Sequence, residues 1–237
     1  MAGLRPGNRK LGLLIYQFSI PSGLRHICVG ASSLCLLLCY AMRHHYCRGN
    51  VKDALQENYK ETLRRDFVAV MGGWIRSCFA RIVRVHASGE FYSAEYVRKW
   101  VEITKRHKNV LFYAYTRSWR DPEVYEALKE LAKQPNFVLW WSCDRETGAP
   151  PKLKGVRRAY LMLNDEDIPK FKVDLVFRES TKTVMKWVTG APVCPPENGV
   201  TNTTCSLCQL CFRGKALPRN DSNLYGGDYS LPIYEGA

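Results

Sequence analysis

Between Arg81 and Phe177 the sequence alternates short β-branched or aromatic runs with amphipathic stretches, and this alternation restricts the fold more than any other feature. Arg81–His86 (RIVRVH) reads as a strand. Ser93–Lys105 reads as a helix, with Ser93 as its cap and Tyr96, Val97, Trp100 and Val101 as its apolar stripe. Val110–Tyr115 is a strand, Asp121 and Pro122 open a second helix that runs toward Lys133, and Phe137–Trp141 is a third strand. Arg157–Leu163 and Val173–Phe177 read as two more, without a long helix between every pair. Apolar strands joined by helical crossovers call for a parallel sheet covered on both faces. With Leu11–Phe18 as a first buried strand, the expectation is an α/β fold of five or six strands. That is a partial β/α barrel or an open parallel sheet, not a complete eightfold barrel.

The flanks differ in character. Residues 1–10 are a loose basic start, and Pro21, Ser22 and Gly23 break the first strand. A cysteine-bearing loop and helix are expected from Cys28 to Tyr46, and residues 51–78 place Leu55, Tyr59, Leu63, Phe67 and Val70 at helical spacing. After Trp187 Gly, Pro, Asn and Thr become frequent and periodicity fades. The chain therefore divides into a core domain, 11–187, and a cysteine-rich segment with a tail, 188–237, which a metal would order.

Ten cysteines in 237 residues need a reason, because a chain of this length buries a core without covalent staples. The N-terminus lacks a secretory cleavage pattern, and the apolar run from Ile27 to Met42, interrupted by Gly30, Ser32 and Ser33, is short for a membrane span. A reducing cytoplasm is the expected home, and clustered cysteines there read as metal ligands or catalytic groups.

Cys194 precedes a loop that leads to Cys205-Ser-Leu-Cys208-Gln-Leu-Cys211. Two successive two-residue spacings fold the chain back, so that three sulfurs converge while a fourth arrives from a distance, a ferredoxin-like arrangement for a 4Fe-4S cluster. Zinc remains the rival, although its sites more often use two separated cysteine pairs.

Cys28, Cys35 and Cys39 follow the first strand. Three thiolates leave one iron of a cluster open to a substrate or cofactor. The plainer alternative is that Cys35 and Cys39, one helical turn apart in an apolar run, are core thiols. His44 and His45 are expected to be solvated, and Cys78 and Cys143 to be core thiols.

Polar residues gather at the strand ends: Ser88, Gly89 and Glu90; Thr116, Arg117 and Ser118; Ser142, Asp144 and Arg145; Arg178, Glu179 and Ser180. In parallel α/β architectures these C-terminal ends line the site. Of them Ser88, Gly89, Glu90, Arg117 and Ser142 are the candidates for binding a cofactor. The net charge of +13 draws the chain to polyanions. Lys152, Lys154, Arg157 and Arg158 form its densest basic patch, which suits nucleic acid or a host protein.

Five segments together resemble a phage protein family named after gene product eighty-eight: Phe18-Ser-Ile-Pro-Ser-Gly; Cys28-Val-Gly-Ala-Ser-Ser-Leu-Cys35 running into Cys39-Tyr-Ala; Val85-His-Ala-Ser-Gly-Glu-Phe-Tyr-Ser93; Phe112-Tyr-Ala-Tyr-Thr-Arg-Ser118; and Cys208-Gln-Leu-Cys211. The family usually has proline after the first loop cysteine, where this chain has Val29. The resemblance spans residues 12–214 and implies a phage protein working in the host cytoplasm. More distantly, the arrangement is similar to the radical S-adenosylmethionine superfamily, which places three cysteines after the first strand of a partial barrel. Cys35 and Cys39 match its first two cysteines, Met42 stands where the third would be, and Cys28 would supply the missing thiolate. Ser88-Gly89-Glu90 looks like that superfamily's Gly-Gly-Glu stretch, with Ser88 for the first glycine. That likeness implies S-adenosylmethionine as cofactor, an open 4Fe-4S cluster on Cys28, Cys35 and Cys39, and an auxiliary closed cluster on Cys194, Cys205, Cys208 and Cys211.

Overall fold

The computed structural model describes residues 2–179, 187–195 and 203–212. Its centre is a seven-stranded sheet in sequential order: β1 (Arg5–Pro6), β2 (Ile15–Phe18), β3 (Ile82–Val85), β4 (Leu111–Thr116), β5 (Phe137–Cys143), β6 (Arg157–Met162) and β7 (Leu175–Arg178). β1 is antiparallel to β2, and every later neighbour pair is parallel. The sheet is open, since β1 and β7 are its edges. Sequential parallel order is that of a barrel sector. With right-handed crossovers it puts the helices on one face and leaves the other as a concavity to be filled.

The helical face holds α2 (Gly49–Leu63), α3 (Phe67–Ser77), α4 (Ala94–Arg106) and α5 (Pro122–Ala132), with α4 packed between α3 and α5. The expected caps are in place: Ser93 Oγ accepts from Tyr96 N at 3.2 Å, and Asp121 Oδ1 accepts from Val124 N at 3.0 Å. Strand alternation sends Phe18, Val83, Val85, Phe112, Ala114, Leu139 and Trp141 into this layer against Phe67, Trp100 and Leu128. The opposite face presents Ile15, Ile82, Leu111, Tyr113, Val138, Trp140 and Leu175.

One expectation needs correction and two are refined. The strand expected from Leu11 begins only at Ile15, because the chain turns at Gly12 (φ +82°) and exposes Leu13 and Leu14. Cys28–Tyr46 is mostly loop, with one short helix, α1 (Ser33–Leu37), and two 3₁₀ turns, Tyr40–Met42 and His44–Cys47. The helical stretch at 51–78 is two helices, broken where Arg64 pairs with Asp66.

The described parts of the cysteine-rich segment dock on the concave face. β8 (Trp187–Val188) pairs with β9 (Ala191–Pro192), and Cys194 N donates to Val176 O at 2.9 Å. The one-turn helix α6 (Cys205–Cys208) is tied by Cys205 N to Lys10 O at 2.8 Å and Ser206 N to Leu11 O at 3.1 Å. Phe212 is buried against Tyr113, with ring centroids 5.3 Å apart. The segment carries little apolar sequence of its own and borrows the core of the sheet. The loop 196–202, Ser180 and the tail from residue 213 lie outside the described residues.

Candidate metal centre and ligand cavity

Both cysteine sets open onto one cavity of about 490 Å³. Cys28, Cys35 and Cys39 line it from the loop after β2, and Cys194, Cys205 and Cys211 from the segment under the concave face. Cys208 is not among its lining residues. All five residues expected to bind a cofactor, Ser88, Gly89, Glu90, Arg117 and Ser142, line it as well. So do Arg178 and Glu179, whereas Thr116, Ser118, Asp144 and Arg145 do not.

The cysteine loop is held over the strand ends by named contacts. Ser32 Oγ donates to Asp144 Oδ2 at 2.6 Å, and Leu34 N donates to Glu146 Oε2 at 2.9 Å. Arg120 Nη1 donates to Gly30 O at 3.0 Å. A Cβ on Gly30 would lie 1.8 Å from Arg117 O, so only glycine lets the loop approach β4 this closely. The Tyr40 hydroxyl donates to Ala87 O, which ties the loop to the end of β3.

Glu90 is buried. Its Oε1 accepts from Phe91 N at 2.9 Å and its Oε2 from Arg117 N at 2.7 Å, which joins the ends of β3 and β4. Burial raises its pKa against these hydrogen bonds. The Thr116 hydroxyl is a further hydrogen-bond partner of this carboxylate. Ser88 Oγ donates to Ile20 O at 3.0 Å, and Gly89 (φ +88°) would drive a Cβ to 2.2 Å from Ile20 Cγ1. Ser88 and Gly89 thus seat the β3 end against the chain leaving β2. Arg117 donates to Asp144 Oδ2 at 3.1 Å and to Ser142 Oγ at 3.2 Å.

Burial pushes the Cys28 thiol up to about 12, with Glu90 adding to the rise. It pushes Cys211 to about 12 as well, despite the Tyr115 hydroxyl beside it. Cys194 and Cys205 are buried, and the sheet supplies their apolar cover. Cys35, also raised by burial, is opposed by Arg117. Among the described residues no three His, Cys, Asp or Glu side chains are close enough to hold one metal ion. The thiols face a common space from several sides instead.

The structure adds residues that the strand-end reasoning passed over. Gln17, Arg84, His86, Tyr113 and Tyr115 line the cavity from the strands themselves or from just beyond them. Of these, Arg84 is legible in the sequence as a charge within the strand-like run Arg81–His86. His86 (φ +63°) hydrogen-bonds the Tyr96 hydroxyl through Nε2 at 2.9 Å, and burial pushes its pKa down to about 3. Cys143 is a core thiol as expected, whereas Cys78 is only partly buried. His45 is exposed, and the His44 side chain lies outside what is described. Among the described residues no helix is long and apolar enough to cross a membrane.

Comparison with known proteins agrees with the motifs. Gene 88 protein of Mycobacterium phage D29 is 25% identical over 230 residues, covering 88% of this chain and 87% of the relative. Gene 88 protein of Mycobacterium phage L5 is 27% identical over 227 residues, with the same coverage. No solved structure matches. The family profile described as Gene product 88 matches residues 3–215, nearly the whole described fold and both cysteine sets, so the chain belongs to the gene product 88 family.

Proposed function

We propose that this protein is an iron–sulfur protein with a radical S-adenosylmethionine-like core, acting on a substrate held in the cavity between its two cysteine sets. One observation carries this reading: cysteines from opposite ends of the chain open onto a single cavity at the C-terminal ends of parallel strands. Thiolates are the ligands that iron–sulfur clusters take.

Cys28, Cys35 and Cys39 would hold a cluster with one open iron, and Cys194, Cys205, Cys208 and Cys211 a closed one. A cluster supplies one-electron chemistry when bound. Around the first set the chain provides Glu90 for an ammonium, a glycine-bearing turn at Gly89 for close approach, and Arg117 for a carboxylate through the Nε–H that its ion pair with Asp144 leaves unused. These are the groups that the amino acid end of S-adenosylmethionine requires.

The test is iron and acid-labile sulfide per chain after anaerobic purification, with electron paramagnetic resonance of the reduced protein, with and without S-adenosylmethionine. About eight irons, about half of them lost in a Cys28→Ala, Cys35→Ala, Cys39→Ala variant, and a signal altered by the cofactor are expected. Stoichiometric zinc in place of iron would overturn the reading.

A second reading, a non-catalytic protein that binds nucleic acid, is favoured by a separate surface. Lys152, Lys154, Arg158 and Lys172 surround a groove of about 310 Å³ whose one acid, Asp174, accepts from Arg158 N at 2.7 Å. Under this reading, affinity for duplex DNA or RNA would fall steeply with salt and survive loss of the three loop cysteines.

A further inference from the structure

We infer that Gln17, Arg84 and Tyr113 form an anion-recognition row, which takes a carboxylate or phosphate group of a small molecule bound in the cavity. The reaction of that molecule rests on the reading above; its binding does not.

Gln17 pairs in register with Arg84, and Arg84 with Tyr113, across three parallel strands. Paired residues share a face, and neighbouring strands lie about 4.8 Å apart, so the amide, the guanidinium and the phenol stand side by side. All three line the cavity. Among the described residues the Arg84 side chain has no hydrogen bond or ion pair: its Nε is buried without a partner, and its one ring contact is with Tyr115, 6.0 Å from the centroid. Tyr113 is 1% exposed, and its hydroxyl also lacks a partner. The Gln17 side chain makes no hydrogen bond among the described residues either.

The neighbouring charges sharpen the point. Arg117 is matched by Asp144, and Arg178 by Asp165. Of the acids lining the cavity, Glu90 is taken up by two backbone amides and Glu179 by Arg43 at 3.2 Å. Arg84 therefore faces the cavity without a carboxylate of its own. A half-buried guanidinium is costly unless an anion meets it, and a forked cation flanked by two further donors matches the oxygens of a carboxylate or phosphate. The rival counter-charge is the C-terminal thiolates once they hold metal, because Cys205 and Cys211 also lie near Arg84.

Titration calorimetry with inorganic phosphate and with malonate separates the two. It would be run on metal-free and iron-loaded protein, as wild type, Arg84→Met and Tyr113→Phe, each checked for folding by circular dichroism. Saturable one-site binding is expected in both metal states, weakened about tenfold or more by Arg84→Met and several-fold by Tyr113→Phe. Of the two probes, the tighter one names the ligand group. If neither anion binds wild type, or if both folded variants bind like wild type, the inference fails. It also fails if Arg84→Met leaves anion binding intact but lowers iron retention, since Arg84 would then serve the cluster. Anion binding by a chain that holds no iron would keep this site and sink the cluster reading. Iron without anion binding would do the reverse.

Discussion

Ser32 Oγ and Asp144 Oδ2 meet at 2.6 Å, joining the loop that carries the first three cysteines to the end of the fifth strand. The same carboxylate oxygen accepts from Arg117, so one buried acid organises the loop, the β4 end and the β5 end together. Burial opposes the Asp144 charge, but Ser32, Arg117 and the amides of Glu146 and Thr147 outweigh it and hold its pKa below the usual range. Asp144→Ala would strand Arg117 and cost on the order of 3 kcal/mol, read as a lowered denaturant midpoint. Asp144→Asn, which can still accept from Ser32, would cost less.

Gly30→Ala tests the docking of the loop more locally. The added Cβ would meet backbone of Arg117 at 1.8 Å and 2.4 Å, which no rotamer relieves. The loop must lift away from the strand ends. On the proposed reading, iron per chain would fall by about half, as counted by iron analysis of wild type and variant.

The thiols predict how metal uptake follows pH. Cys28 and Cys211 stand near 12 against an ordinary 9.0, so at neutral pH they carry protons that a metal must displace. Apparent affinity for iron should rise with pH, with protons released into a weakly buffered solution as iron and sulfide are added. Uptake without proton release would exclude these thiols as ligands.

The metal-free chain should also lose stability in alkali. A raised acid keeps its proton longer in the folded state than in the unfolded one. The contribution is therefore whole below pH 9.0 and is lost as pH rises toward 12. Denaturant midpoints across that window should fall for wild type and fall less for Cys211→Ala.

His86 sets the acid limb. Its folded pKa of about 3 lies below the ordinary 6.5, so the unfolded chain takes up the proton first. Stability should decline as pH drops from 6.5 to 3, by on the order of 4 kcal/mol in all. His86→Gln should flatten that decline, measured by urea midpoints at each pH.

The amino-acid sequence by itself determined the parallel α/β core, because strand and helix periods, Ser93 and Asp121 at their caps, and apolar runs at Val110–Tyr115 and Phe137–Trp141 are local signals. It also pointed to the strand-end residues, since chain order places them. It did not reveal what lies under the sheet. The segment after Trp187 looked unable to order itself because its cover, Tyr113, Trp140 and Leu175, belongs to distant strands. That Arg84 lacks a counter-charge depends on which carboxylates are nearby and already engaged, a fact of three-dimensional arrangement. Only the tertiary structure decided that two cysteine sets far apart in the chain share one cavity. Strands in sequential order leave one face without crossover helices, and Leu11, Cys205 and Phe212 from the flanks of the core cover it.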